Sequence, residues 1–357
     1  MNKTIALTGL VLFSFILPSK ADAASFSKFF IFGDSLSDAG NVYNGTFKQI
    51  PASPPYFEGR FSNGNIWTDY LGEQLNLKPS LLTSLATTSP SEGINFAIGG
   101  SKSGQGNSFV PFLPLPGVLE QVKLLTNPLP NLNTKLDSNA LYAIWGGAND
   151  YLNAGLTDTN QTVNNLTSAV GLLTQAGAKN IMVLNLPDLG KTPQALNTGT
   201  SSSLTALTEK HNATLESALI PFSSNPELNI IPVDVKNLSD EIFANPQAFG
   251  VNNVTQACLT TNLSVCNDPS GFLFFDNVHP TTNFHNLIAK RASSAINYKS
   301  VPIAASVTIA SASTSIPEPS TNWAIIGAAT FLGVGYLKHK AQKAILLLFQ
   351  YQKYFIR

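Results

Sequence analysis

The stretch Phe29-Phe30-Ile31-Phe32-Gly33-Asp34-Ser35-Leu36-Ser37-Asp38-Ala39-Gly40-Asn41 begins with four apolar residues, breaks at a glycine and passes into a helix-like segment. The same pattern recurs along the chain. The apolar run 141–145 ends in Gly146-Gly147, and 162–176 has helical spacing with Gly177 placed to end it. Residues 181–184 read as a buried strand, 203–219 as a helix and 230–235 as another strand. Helical spacing also marks 66–75, through Ile66, Tyr70, Leu71 and Leu75, and 283–296 closes this body as a helix. Strands alternating with helices predict an α/β fold, a mainly parallel sheet covered by helices on both faces. Such sheets bind ligands at the carboxyl ends of their strands, so the residues just after each strand come first in a search for chemistry.

Composition narrows the classes. The 357 residues carry 21 Lys+Arg against 21 Asp+Glu, a net charge of zero, which excludes the electrostatic footprint of a nucleic-acid binder. Charged residues are 12% of the chain, about half the usual ~25%, and Ser, Thr and Asn supply the polarity instead. A hydrophobic content of 43%, with 22 Phe, builds a large core and excludes global disorder. Two Cys are too few for a disulfide-built scaffold, and no Cys/His cluster has zinc-ligand spacing. Four His leave a short list of candidate bases.

Both ends differ from the body. Lys3, the apolar run 5–17, Pro18 and Ala21-Asp22-Ala23-Ala24 have the order of a secretory signal peptide, with cleavage expected after Ala23 or Ala24. The body then runs from 25 to 298. Residues 299–316 are small, polar and linker-like. Pro317-Glu318-Pro319, the apolar run 323–337 and the cations Lys338, Lys340 and Lys343 follow, with His339 among them. The run is slightly short of the about 20 residues of a bilayer span, and its flanking cations suit a cytoplasmic side. Segment 317–343 resembles a PEP-CTERM sorting segment, which implies membrane retention and processing by an exosortase-type protease. The tail 344–357 extends past the point where such segments normally end, and it has no assigned role. Export would place Cys258 and Cys266 in a disulfide-permissive compartment. The short loop between them predicts a bridge that braces the chain before Asp276.

Chemistry-bearing residues gather after the predicted strands. Ser35, at a strand-to-helix turn, has a hydroxyl to expose and a backbone N–H to face an oxyanion, although Gly-Asp-Ser alone also makes ordinary turns. A serine nucleophile needs a base, and His279 in Phe275-Asp276-Asn277-Val278-His279-Pro280 is the best candidate, with Asp276 three positions earlier. His211 lies mid-helix between Lys210 and Asn212, His285 is a helix-face residue and His339 belongs to the C-terminal segment. Gly100, in Ile94-Asn95-Phe96-Ala97-Ile98-Gly99-Gly100-Ser101, lets its backbone approach a reacting oxygen. Asn149, in Trp145-Gly146-Gly147-Ala148-Asn149-Asp150, offers a carboxamide donor. Taken singly, each of these two segments also reads as a tight turn.

In this order the four segments resemble the SGNH/GDSL hydrolase family, with its Gly-Asp-Ser turn, Asn-x-Ala-x-Gly-Gly loop, Gly-x-Asn-Asp loop and Asp-x-x-His end. The resemblance spans about 28–296. Glu58-Gly59-Arg60-Phe61-Ser62-Asn63-Gly64 and Leu184-Asn185-Leu186-Pro187-Asp188-Leu189-Gly190 also look like the plant-type, lipase-like branch. What the resemblance implies is a flavodoxin-like three-layer α/β/α sandwich with Ser35 at the sheet edge. It implies Ser35 as nucleophile, His279 as base and Asp276 as orienting acid. The Ser35 N–H, Gly100 and Asn149 would be the oxyanion donors, and no cofactor would be needed. The substrate would be a short-chain ester, a lipid or an acetylated glycan. Ser101 departs from the usual Ala of its block. Acyl transfer to an alcohol is the alternative within enzymes. Outside them, a surface polysaccharide-binding protein would lack Ser, His or an oxyanion donor, and none is missing. The Gly/Pro-rich loop 101–117 reads equally as an acyl-pocket wall or a surface connection.

Overall fold

A computed structural model describes residues 25–297, apart from 86, 88, 89 and 110–113. The signal-like segment 1–24, the linker-like segment 299–316, the sorting-like segment 317–343 with His339, and the tail 344–357 lie outside the described residues. Among the described residues no helix is long and apolar enough to cross a membrane.

Six strands form the central sheet: β1 Phe29–Gly33, β2 Ser80–Leu81, β3 Ile94–Asn95, β4 Leu141–Trp145, β5 Asn180–Leu184 and β6 Asn229–Val233. Every pairing is parallel, in the order β2-β3-β1-β4-β5-β6. Apart from the two-residue β2, this is the flavodoxin-like arrangement, and the winding direction reverses at β1. The sheet edge that carries Ser35 is therefore the rim where strands end, because β1 itself is an interior strand. β1 and β4 run level, from Phe29↔Leu141 to Gly33↔Trp145, so their following loops leave the sheet side by side.

Period-two alternation sends neighbouring side chains to opposite layers. Phe29, Ile31, Leu141, Ala143, Met182 and Leu184 pack with Trp67, Leu71, Leu238 and Ile288, from the helices Trp67–Leu75, Val235–Ala244 and Thr282–Asn297. Phe30, Phe32, Tyr142, Ile144, Ile181 and Val183 face Val122, Val163, Leu166 and Leu215, from the helices Val118–Thr126, Thr159–Gln175 and Ser201–Ser223. The result is a three-layer α/β/α sandwich. Each fully buried aliphatic or Phe side chain contributes roughly 1.5–3 kcal/mol, so both layers hold the strands flat against helices.

Local chemistry sets the boundaries. Asp158 caps the Thr159–Gln175 helix by accepting from Asn160 N–H, and Gly177 follows its end with φ +108°. The strand predicted over 230–235 stops at Val233, because Asp234 accepts from Asn237 N–H and starts a helix at Val235. After Gly33 the chain does not enter a helix directly. It turns through 34–40, where Asp38 collects the N–H groups of Gly40, Asn41 and Val42, and only then forms the short helix Asn41–Gly45.

A separate two-stranded sheet pairs β7 Asn253–Ala257 with β8 Phe272–Phe274. Beside it Cys258 and Cys266 form a disulfide with Cα atoms 4.9 Å apart. The bridge packs with Leu259, Phe275 and Tyr56, and Leu259 N–H donates to the Phe275 carbonyl at 2.6 Å. It thus braces the residue just before Asp276. Thiol titration of the denatured, unreduced protein should find no free thiol. Replacing both cysteines by Ala should lower unfolding free energy by about 2–3 kcal/mol in urea titrations.

Candidate active site

Three loops converge because β3, β1 and β4 are neighbours. The chain leaves β1 toward Ser35, β3 toward Gly100 and β4 toward Asn149. The end of β1 is pinned by Gln121, which is fully buried. Its carboxamide accepts from Gly33 N–H and donates to the Gly33 carbonyl, both at 2.9 Å. Ile98 N–H reaches the same carbonyl. A Cβ on Gly33 would lie 2.7 Å from the Trp145 carbonyl oxygen, so the close approach of β4 requires glycine there.

Asp38 joins two of these loops. Besides the three N–H groups of its own turn, it accepts from Gly99 N–H at 2.9 Å. Complete burial pushes its carboxyl up to about 6, against the pull of those four donors. Asn95 adds a second tie, donating to the Ser37 carbonyl and accepting from Ala97 N–H. Trp67 Nε1–H donates to Ser37 Oγ from the helical layer.

Ser35 lies 8% exposed at this rim. Its Oγ is 2.8 Å from His279 Nε2, and His279 Nδ1 is 2.7 Å from Asp276 Oδ2. A carboxylate only accepts, so Nδ1 carries the proton and Nε2 presents its lone pair to the Ser35 hydroxyl. The Asp276 Oδ1 atom accepts from the N–H groups of Val278 and His279, and Oδ2 also accepts from the Tyr56 hydroxyl at 2.7 Å. Burial opposes the Asp276 charge, but His279, Tyr56 and Val278 N–H outweigh it and bring the carboxyl down to about 2. Burial likewise pulls His279 down, and the carboxylates of Asp276 and Asp34 overcome it, so His279 sits above the ordinary imidazole value. Asp34, 2% exposed, is pushed up to about 6 by burial.

The 276–282 loop is held from two sides. Gln194 N–H, at the start of the Pro193–Thr198 helix, donates to the Asn277 carbonyl at 2.9 Å. On the other side, Phe61 lies against the imidazole with ring centres 5.2 Å apart, and Ser62 Oγ donates to the Pro280 carbonyl.

Gly100 and Asn149 meet across Ser108, whose Oγ contacts the Gly100 carbonyl and Asn149 Oδ1. Asn149 Oδ1 also accepts from Asn153, which assigns the amide orientation and leaves Nδ2 as the donor end. One Nδ2 hydrogen goes to the Ser101 carbonyl at 3.1 Å. Gly100 has φ +82°, and a Cβ there would lie 2.6 Å from Asn107 Oδ1, so both conformation and space select glycine. Among the described residues neither Ser35 N–H nor Gly100 N–H has a protein acceptor. Ser101, the departure from the usual Ala, is buried and useful: its Oγ donates to the Pro116 carbonyl and accepts from Gln121.

The other histidines lie elsewhere. His211, despite its polar neighbours in sequence, is fully buried behind Gly147, pairs through Nδ1 with the Tyr151 hydroxyl at 2.8 Å, and is pushed down to about 4 by burial. His285 lies on the buried face of its helix, accepts from Trp67 N–H and is pushed down to about 3. Neither has a carboxylate to hold its charge. Tyr56, Gln121 and Asp38 were invisible as site residues in the sequence. Tyr56 carried no catalytic motif, and only its proximity to the plant-like block 58–64 marked the region.

A parallel sheet between helical layers, with Ser35 on the turn after its first strand, defines the SGNH class of hydrolases. The chain belongs to the GDSL-like lipase/acylhydrolase family, whose model matches residues 29–292, and by that membership it is a carboxylic ester hydrolase. A phosphatidylcholine-sterol acyltransferase of Aeromonas hydrophila is 29% identical over 71% of this chain and 71% of its own length. Esterase EstA of Pseudomonas aeruginosa is 31% identical over 76% of this chain, which spans 47% of that protein. Axe2, an acetylxylan esterase from Geobacillus stearothermophilus, aligns in structure with a TM-score of 0.42 at 14% identity, covering 78% of this chain and 97% of that one.

Proposed function

We propose that the protein is an exported serine esterase that cleaves carboxylic esters through an acyl-enzyme on Ser35. The observation that carries this reading is the unbroken hydrogen-bonded chain from Ser35 Oγ through His279 to Asp276. His279 Nε2 removes the hydroxyl proton as Ser35 attacks the ester carbonyl, and Asp276 stabilises the imidazolium that forms. The N–H groups of Ser35 and Gly100 and the Asn149 carboxamide receive the developing oxyanion. His279 then gives its proton to the leaving alcohol, and water releases the acyl group by the same route.

Short-chain esters, lipids and acetylated glycans are the substrate classes in view, and an ester chain-length series run beside acetylated polysaccharide separates them. The acyltransferase relative supports a second reading, in which an alcohol intercepts the acyl-enzyme in place of water. Product analysis with and without an acceptor alcohol distinguishes the two.

Export rests on the signal-like segment 1–24. A transient tether, with an exosortase-type protease as processing partner, rests on the sorting-like segment 317–343. Deleting everything after Ser315 should release active enzyme. Recovery of that truncated protein in the membrane fraction would sink the tether.

Fluorophosphonate should label Ser35, and Ser35→Ala should abolish both label and hydrolysis; label surviving in that variant would move the nucleophile elsewhere. Asn149→Ala should lower kcat by about 10²–10³ with KM little changed, because the lost bond strengthens as charge develops. A kcat within about twofold of wild type would return Asn149 to a purely structural turn.

The pH dependence follows from His279. It acts as a base only when neutral, and its carboxylate neighbours raise it above its ordinary value. The acidic limb of kcat/KM should therefore have its midpoint above about 6.5, with activity lost as pH falls through it. A midpoint at or below about 6, with the protein folded, would count against His279 as base.

A further inference from the structure

The segment after the proline-rich stretch 51–55 runs beside the histidine loop and touches it repeatedly. Tyr56 donates to Asp276 Oδ2 at 2.7 Å, and the Phe61 ring lies 5.2 Å from the His279 ring. Ser62 Oγ donates to the Pro280 carbonyl at 2.9 Å, Asn63 Oδ1 accepts from Thr282 N–H at 2.9 Å, and Thr282 Oγ1 donates to the Asn65 carbonyl at 2.7 Å. More than 200 residues of chain separate the two partners of each hydrogen bond. The segment is itself anchored. Arg60 forms a two-point ion pair with Asp69, at 3.0 and 2.8 Å, and Asp69 accepts from Ile66 N–H at the start of the Trp67–Leu75 helix.

We propose that the 56–65 segment is a clamp on the 276–282 loop, and that the Tyr56 hydroxyl is the positioning residue that fixes the Asp276 carboxylate on His279 Nδ1. The Tyr56 ring is wedged edge-on against Phe275, with centres 5.2 Å apart, so its hydroxyl reaches one oxygen of the carboxylate. That oxygen is the one His279 uses, whereas the other is taken by two backbone N–H groups. Burial and the Asp276 charge hold the phenol far above its ordinary titration range, so it remains a donor wherever the enzyme works. Sharing Oδ2 also moderates the charge that Asp276 offers the imidazole. The other groups facing His279 are Asp34, which raises it, and His285, whose own value its charge lowers.

This assignment rests on the Ser35–His279–Asp276 reading, and Tyr56→Phe tests it while keeping the ring. Expected are a kcat lowered by about tenfold, the smallest effect of losing a hydrogen bond to a charged group, and a KM within about twofold. The acidic limb of kcat/KM should move to higher pH, because the unshared carboxylate holds the imidazolium more tightly. Site-specific replacement of Tyr56 by 3-fluorotyrosine, a stronger donor of the same shape, should move the limb to lower pH, and it serves if Tyr56→Phe does not fold. A hydroxyl that only fills space leaves the limb in place in both variants, and that result overturns the proposal, as does a loss confined to KM. Ser35→Ala run in parallel separates the two failures. Hydrolysis surviving there overturns the underlying reading, whereas an inactive Ser35→Ala beside unaltered Tyr56 variants removes only the role of Tyr56.

Discussion

The parallel pairing of β1 with β3 on one side and β4 on the other places three loops at one rim, and the site depends on it. Gly33 is where that pairing is tightest, with its carbonyl taken by Ile98 N–H and Gln121 and with the Trp145 carbonyl against its α-carbon. Ser35 comes two residues later and inherits this rigidity. Asn149 follows the neighbouring strand by four residues, and Gly100 follows β3 by five. A hydrogen-bond donor stabilises a developing charge without reorganisation only if it is already aimed, and in the proposed mechanism the locked strand ends would supply that aim.

Electrostatics then shift chemically identical groups in opposite directions. Asp34, Asp38 and Asp150 are all raised, chiefly by burial, although each accepts hydrogen bonds. Asp276 moves the other way because it has what they lack, an imidazole bonded directly to it and a phenol donor beside it. The same contrast separates the histidines. His279 is raised because carboxylates surround it, whereas His211 and His285 are lowered because burial acts without a compensating anion. Of these three, only His279 has anions beside it that favour its charged form.

The hydrophobic pattern made the central strands legible. Leu141–Trp145 is a continuous buried run with the same bounds in both, and 181–184 falls within β5. The two-residue strands β2 and β3 were not legible, since so short a segment has no period to detect. Nor was the helix Val118–Thr126, which follows the Gly/Pro-rich loop 101–117, or the parallel pair β7–β8, half of which is polar. Strand β6 ended early because a capping side chain, Asp234, outcompeted the apolar run.

By itself the sequence determined the α/β class, the candidate nucleophile turn, the Asp-x-x-His segment and the two donor loops. The α/β class rests on hydrophobic spacing, and the four segments rest on their order along the chain, which resembles that of the SGNH/GDSL family; neither needs knowledge of contacts. The bridge between Cys258 and Cys266 was also legible, because the loop between them is short. Only the tertiary structure decided how Ser35 meets a histidine 244 residues away. It alone showed that Asp38 ties two loops together and that Tyr56 shares the Asp276 carboxylate. Those contacts join elements distant in sequence. Their partners are ordinary polar residues in turns, and nothing in their immediate neighbours distinguishes them until packing brings the donors and acceptors together.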